Sequence, residues 1–215
     1  MAGLTLAADS AVFGSGPILL EWAVAGAPAD GQQVSGDSHL VDHTEQGVLL
    51  AVVDALGHGA DAAAVADRAV AAMRTRTSPR LDDLVRRCHE AMVGTRGAVI
   101  AIAWLGADAV LTWLVVGNVN AMLMRRHYAN LARHAAPISH AGVLGMRLPR
   151  IGARSLSLRS GDLLVMATDG IDPRFTDDLG PVADLSRATR RLLERSRIPS
   201  DDALVLMARC TVLER

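Results

Sequence analysis

Residues 160–171 read SGDLLVMATDGI: a glycine-bearing turn, five apolar residues of strand length, then an aspartate and a glycine that end the run. Two other stretches share its plan. Residues 47–59, GVLLAVVDALGHG, end their apolar run at Asp54, and in residues 200–208, SDDALVLMA, the pair Asp201 and Asp202 opens one. Short runs rich in Val, Leu and Ala and bounded by Gly, Asp or Pro read as strands. The lack of polar alternation within them predicts burial on both faces.

Working outward, strands are predicted at residues 18–25, 48–53, 98–105, 110–116, 121–125, 154–158, 163–167 and 203–208. Helices are predicted at three places. Residues 60–73 are alanine-rich, with Asp61 near the positive end of the helix dipole. Residues 81–92 carry an apolar stripe of Leu81, Leu84, Val85, Cys88 and Met92 and stop before Gly94. Residues 181–193 open with Pro181 in the first turn. Two helices therefore follow the early strands, then come strands joined by short turns, then one helix and a last strand. Strict strand–helix alternation is absent, which disfavours a wholly parallel doubly wound sheet. An α+β fold of mainly antiparallel sheets is expected, with two sheets stacked beneath outer helices. No repeat, low-complexity tract or long linker divides the 215 residues, so residues 1–215 read as a single domain.

Composition removes several functions. Half of the chain is hydrophobic and 21% is charged, which excludes disorder. The 22 basic and 23 acidic residues leave a net charge of −1, so there is no electrostatic case for nucleic acid or an acidic membrane. Every basic residue is arginine. Without lysine, P-loop nucleotide hydrolysis, Schiff-base chemistry and protein-kinase phosphoryl transfer are ruled out. Aromatic residues, at 3%, are too few for base-stacking platforms. Cys88 and Cys210 give neither a CxxC pair nor a disulfide framework, which fits a reducing cytoplasm. The N-terminal stretch lacks a basic n-region and is interrupted by Asp9, Gly14, Gly16 and Pro17. No apolar run approaches the ~20 residues that cross a bilayer. A soluble, cytoplasmic protein that binds neither nucleic acid nor membrane is expected.

The chemistry lies in where the aspartates fall. Asp54 and Asp169 end apolar runs, Asp201 and Asp202 open one, and Asp37 sits in a glycine turn, VSGDSHL. Taken singly, each reads as an ordinary strand or turn cap. Ionised carboxylates at several core rims are costly unless paired or metal-bound, and together they point to one shared cleft. Oxygen donors of this kind suit Mg²⁺ or Mn²⁺ better than zinc. Two such ions ~3.5–4 Å apart would activate a bridging water and clamp a phosphoryl group.

The set VSGDS, VVDALGHG, VVGNVNAML, RSGDLLVMATDGI and SDDALVLM, in this order from about Ser35 to Ala208, resembles the PPM-type metal-dependent serine/threonine protein phosphatases. The likeness is to their bacterial sporulation and stress-response branch. The resemblance implies a four-layer α-β-β-α sandwich with a two-metal site at one edge of the paired sheets. It implies that Asp37, Asp54, Asp169 and Asp201 hold two Mn²⁺ or Mg²⁺ ions, with the Ala55 carbonyl as a backbone ligand and Asp202 in support. The implied activity is hydrolysis of phosphoserine or phosphothreonine by a metal-activated water. The implied partners are phosphorylated STAS-domain proteins of a stressosome-like partner switch. Two positions depart from the pattern: Ala55 stands where glycine is usual, and Leu204 where threonine is usual. They support one alternative, a catalytically weak module that binds phosphorylated partners; a small-molecule phosphoesterase sharing the same metals is another.

Other motifs carry less. Residues 57–62, GHGADA, fit a loose dinucleotide fingerprint, but no strand ending in an acid follows at the required distance. Cys88 lacks the arginine six positions on that a cysteine phosphatase loop needs; that position is Gly94. His39 and His43 are spaced as on a helix, in a segment that does not read as one. His58 lies inside DALGHG and is a candidate proton donor to the leaving oxygen. Arg187, Arg190, Arg191, Arg195 and Arg197 make the last helix basic, a solvated face on the plain reading.

Overall fold

In the computed structural model, residues 7–15, 18–74, 80–128, 130–177 and 179–213 are described. The stretch AVIAIAWLG shows how the layers arise. It forms β5 (Ala98–Gly106), buried at every position. Val99, Ala101, Ala103 and Leu105 belong to one apolar cluster, and Ile100, Ile102 and Trp104 to another. A strand with core on both faces cannot alternate polar with apolar residues. The absence of alternation in the sequence therefore has its cause here.

One sheet carries β5 at its centre, in the order β10 (Arg154–Ser157), β6 (Val110–Val116), β5, β4 (Gly47–Ala55), β3 (Asp37–Thr44). A short β9 (Ser139–His140) pairs in parallel with β6. The other sheet runs β1 (Ala7–Ser15), β2 (Ile18–Ala27), β12 (Ala203–Val212), β11 (Leu163–Ala167), β7 (Asn120–His127), β8 (Asn130–Ala135). All of its neighbours are antiparallel. The first apolar cluster, with Leu20, Leu50, Trp113 and Leu206, lies between the sheets. The second lies under α1 (Ala60–Met73) and α2 (Leu81–Ala91), and a third, with Val165, Val205, Leu192 and Leu193, under α3 (Leu185–Ser196). The four-layer α-β-β-α sandwich is present, its sheets mainly antiparallel.

Three differences from the sequence reading have physical causes. The last helix begins at Leu185, not Pro181. Asp184 caps it by accepting from the Arg187 N–H at 2.9 Å, and the Val182 carbonyl just before accepts from Arg209 at 2.6 Å. Residues 181–184 are thus held in a non-helical approach. Second, β1, β3 and β8 were not read as strands. They lie at sheet edges, where one side meets solvent and polar residues are tolerated. Third, Asp37 opens β3 instead of sitting in a turn. Asp162 of the SGD turn is structural: it is buried and takes two hydrogen bonds from Arg125, at 2.8 and 2.6 Å, and one from the Arg159 N–H. Among the described residues no helix is long and apolar enough to cross a membrane.

Cys88 is buried on the inner face of α2, its thiol donating to the Ala69 carbonyl at 3.2 Å. Burial pushes this thiol up to about 12; burial and the charge of Asp162 push Cys210 up to about 11. Neither is a nucleophile. In native protein at pH 8, Ellman's reagent is expected to label neither cysteine, and both should react once urea unfolds the chain. Rapid labelling of the native protein would contradict this packing.

Candidate metal centre

The antiparallel register of β3 and β4 sets Asp37 directly opposite Asp54. Both side chains share a face, in line with His39 and Val52 and then Val41 and Leu50, so both point into the space between the sheets. The other sheet ends at the same place. β11 pairs with β12 through Ala167 and Val205, so the residues leaving β11, Thr168 and Asp169, lie beside those entering β12, Asp201 and Asp202. The Thr168 hydroxyl joins the two sheets here: Oγ1 donates to Asp37 Oδ2 at 2.7 Å and accepts from the Leu204 N–H at 2.8 Å.

Asp202 is the buried anchor. Its two oxygens accept from the Ala29 N–H at 2.8 Å and the Gly36 N–H at 2.7 Å, which fixes both ends of the loop between β2 and β3. Gly170 is required beside it, because a Cβ there would lie 1.9 Å from the Asp202 carbonyl oxygen. Asn118 donates its amide to Asp169 Oδ2. This accounts for the first asparagine of the VVGNVNAML motif, which lies against the TDG turn.

The electrostatics show convergence. Burial holds the Asp37 carboxyl well above its ordinary range; the charges of Asp202, Asp169 and Asp201 add to this, and the Thr168 hydrogen bond opposes it. Burial, the charges of Asp37, Asp169 and Asp201, and a hydrogen bond with Asp169 push Asp54 up to about 9. Asp201 is raised by burial and by the charge of Asp169, while a hydrogen bond from the Asp202 N–H opposes the rise. The four sequence-predicted carboxylates therefore share one field.

None of the ion pairs among the described residues engages Asp37, Asp54, Asp169, Asp201 or Asp202. An all-oxygen, uncompensated acidic set of this kind fits hard divalent cations. As the side chains stand, no three His, Cys, Asp or Glu groups among the described residues are posed to hold an ion outright. The carboxylates instead take hydrogen bonds from Thr168, Asn118 and one another.

The two departures from the family pattern are accommodated. Ala55 is buried at the end of β4 and donates its N–H to the Gly36 carbonyl at 3.2 Å. Among the described residues the non-glycine positions with positive φ are Ala109 and Tyr128, so alanine at 55 carries no left-handed strain. Leu204 turns its side chain into the core between the sheets, and its backbone N–H bonds Thr168. Of the histidines, His58 is exposed on the loop after Asp54, near enough to influence Asp201. His39 and His43 lie on β3, about 13 Å apart at the strand's rise, too far to share an ion. His39 packs toward Trp22 instead, ring centroids 6.3 Å apart. Four of the helix arginines are solvated, whereas Arg197 is 10% exposed and pairs with Asp30 at 2.5 Å.

Sequence reasoning missed Thr168, Asn118 and Arg96. Arg96 reaches over DALGHG, donating to the Leu56 carbonyl at 3.3 Å and the Asp61 carboxylate at 3.4 Å. Gly57, at φ 88°, makes room: a Cβ there would lie 2.6 Å from Arg96 Nη1. That glycine was the available signal, since its need for space implies a close neighbour.

The sequence profile of the family "Stage II sporulation protein E (SpoIIE)" matches residues 44–211. The chain belongs to this family, and with it to the PPM-type (PP2C) protein phosphatases. A curated relative, phosphoserine phosphatase RsbX of Bacillus subtilis (strain 168), is 24% identical over 148 residues, covering 66% of this chain and 70% of the relative. A chain from a structural study of the bacterial stressosome, a modular system adapted to control secondary messenger signalling, is 28% identical. It has a TM-score of 0.77 and covers 88% of this chain and 99% of its own. The structure of RsbX in complex with magnesium is 21% identical with a TM-score of 0.77, covering 94% of this chain and all of that one.

The raised Asp54 carboxyl has a consequence for stability. Its folded value lies above the ordinary 3.8, so its contribution is full below about pH 4 and is lost as pH rises toward about 9. With metal removed by EDTA, the urea midpoint should fall over this window, and Asp54→Asn should flatten the fall. A midpoint that ignores pH in the EDTA-treated protein would refute the crowding of these carboxylates.

Proposed function

We propose that the protein hydrolyses phosphoserine or phosphothreonine on STAS-domain proteins of a stressosome-like partner switch, in the cytoplasm, using two Mn²⁺ or Mg²⁺ ions. The observation that carries this reading is the meeting of Asp37, Asp54, Asp169 and Asp201 at one edge of a PPM-type sandwich, where none of the ion pairs among the described residues engages them. Asp54 and Asp37, opposed across β3 and β4, would hold the ions from one sheet. Asp169 and Asp201 would close it from the other sheet, with the Ala55 carbonyl as a backbone donor. When bound, such ions lower the pKa of a water and neutralise charge on the phosphoryl oxygens.

The chain's own groups do the positioning. Thr168 orients Asp37, Asn118 orients Asp169, and Asp202 holds the loop that carries Gly36 against the start of β3. His58, exposed on the same rim, is placed to return a proton to the leaving seryl or threonyl oxygen. The similarity to RsbX and to a stressosome chain supports the choice of partner class.

With Mn²⁺ and p-nitrophenyl phosphate, Asp54→Asn and Asp169→Asn are each expected to lower kcat by about two to four orders of magnitude, and calorimetry should show weakened Mn²⁺ binding. Wild-type protein no faster than Asp169→Asn would sink the enzymatic reading. On a phosphoserine peptide, whose alkoxide leaving group needs a proton as nitrophenolate does not, His58→Ala should lower kcat by about 10²-fold and remove the alkaline limb of its pH profile. An unchanged profile would take His58 out of the mechanism.

A further inference from the structure

We propose that a slot beside the metal centre seats an aliphatic side chain of the phosphoprotein, next to the phosphorylated residue in its sequence. The proposal rests on the phosphatase reading and names what that site selects. A cavity of about 390 Å³ lies between β1 and β3, the edge strands of the two sheets. It lies in the range of about 300–1,000 Å³ typical of ligand pockets. Asp37 forms one end, so the slot and the acidic centre share a wall. Asp9 and His39 contribute elsewhere to the lining, and Val24, Leu204, Pro28 and Val34 make its sides apolar.

Several observations point to a formed recess. Its roof, residues 28–36, is pinned by Asp202 through Ala29 and Gly36, by the Asp30 N–H on the Pro199 carbonyl, and by Arg197 on Asp30. Leu204, where the family usually has threonine, adds a hydrocarbon wall where a hydroxyl would make the recess polar. On the roof, Val34 is 47% exposed, a large apolar side chain facing water beside an acidic site. The apolar sides set the selection: they favour a hydrocarbon occupant, and a charged one would lose its hydration against them. A seryl or threonyl phosphate held at the carboxylate cluster would place its sequence neighbour at this opening.

The test compares phosphoserine peptides that differ only in the residues flanking phosphoserine, Leu, Ala, Lys or Asp, with Mn²⁺ present. p-Nitrophenyl phosphate, too small to reach the slot, serves as the reference. The wild type is expected to prefer the Leu peptide over the Asp peptide by about tenfold or more in kcat/KM, the scale of one buried aliphatic side chain. Val34→Asp should collapse that ratio toward one while p-nitrophenyl phosphate turnover stays within about twofold; Val34→Leu should keep the ratio. A wild-type ratio near one, a preference for Lys, or a ratio untouched by Val34→Asp would overturn the slot. Loss of turnover on every substrate would count against the phosphatase reading instead. The same peptides then decide the slot by calorimetric binding, where equal affinity of the Leu and Asp peptides overturns it.

Discussion

Two carboxylates face each other across a pair of strands, and the organisation of this end of the molecule follows from that opposition. Like charges directly opposite in an antiparallel pair are unfavourable, and here Asp37 and Asp54 also point into the space between two sheets. The surroundings make the arrangement tolerable without an ion pair among the described residues. Thr168 donates across from the other sheet, Asp54 and Asp169 share a hydrogen bond, and both acids are pushed toward their protonated forms. The fold thus stores an unmet demand for positive charge at one point, as a divalent-cation site requires before it is loaded.

The layers behind this end serve to hold it still. β4 and β5 are buried on both faces, between α1 and α2 on one side and the second sheet on the other, so the strand that presents Asp54 has no solvent-facing side on which to relax. On the second sheet the constraint is tighter. β11 and β12 are zipped together up to Ala167 and Val205, and Gly170 touches the Asp202 backbone so closely that no larger residue fits. Asp169 and Asp201 therefore keep a fixed separation, and the centre is assembled from two rigid halves linked by the Thr168 hydroxyl, by the hydrogen bond between Asp54 and Asp169, and by Asp202 on the Gly36 N–H.

Most of the central strands and two of the helices were readable before the structure, because their signal is local. β6 and β11 matched at both ends, and α1 spans the residues its alanine pattern predicts. What escaped was decided at a distance. β3 carries Asp37, His39, Asp42 and His43 because it is an edge strand, and edges relax the hydrophobic rule that identifies strands. α3 begins late because Arg209, far along the chain, claims the carbonyl of Val182. The carboxylates were legible at strand ends, but not Thr168 and Asn118, whose partners lie 131 and 51 residues away. Asp162 shows the converse: it belongs to the most recognisable motif, yet it is buried against the half-buried Arg125 and its role is architectural.

Asp202 grips both ends of the loop from β2 to β3 through main-chain amides: it recognises the N–H groups of Ala29 and Gly36, not their side chains. Gln33 and Val34, on the stretch between the two grips, are thereby released from any duty in holding the loop's ends. Mutation can rewrite this short segment without disturbing the acids beneath it. Descendants of one such enzyme could in this way acquire new clients by drift in a few codons, while the hydrolytic machinery is inherited intact.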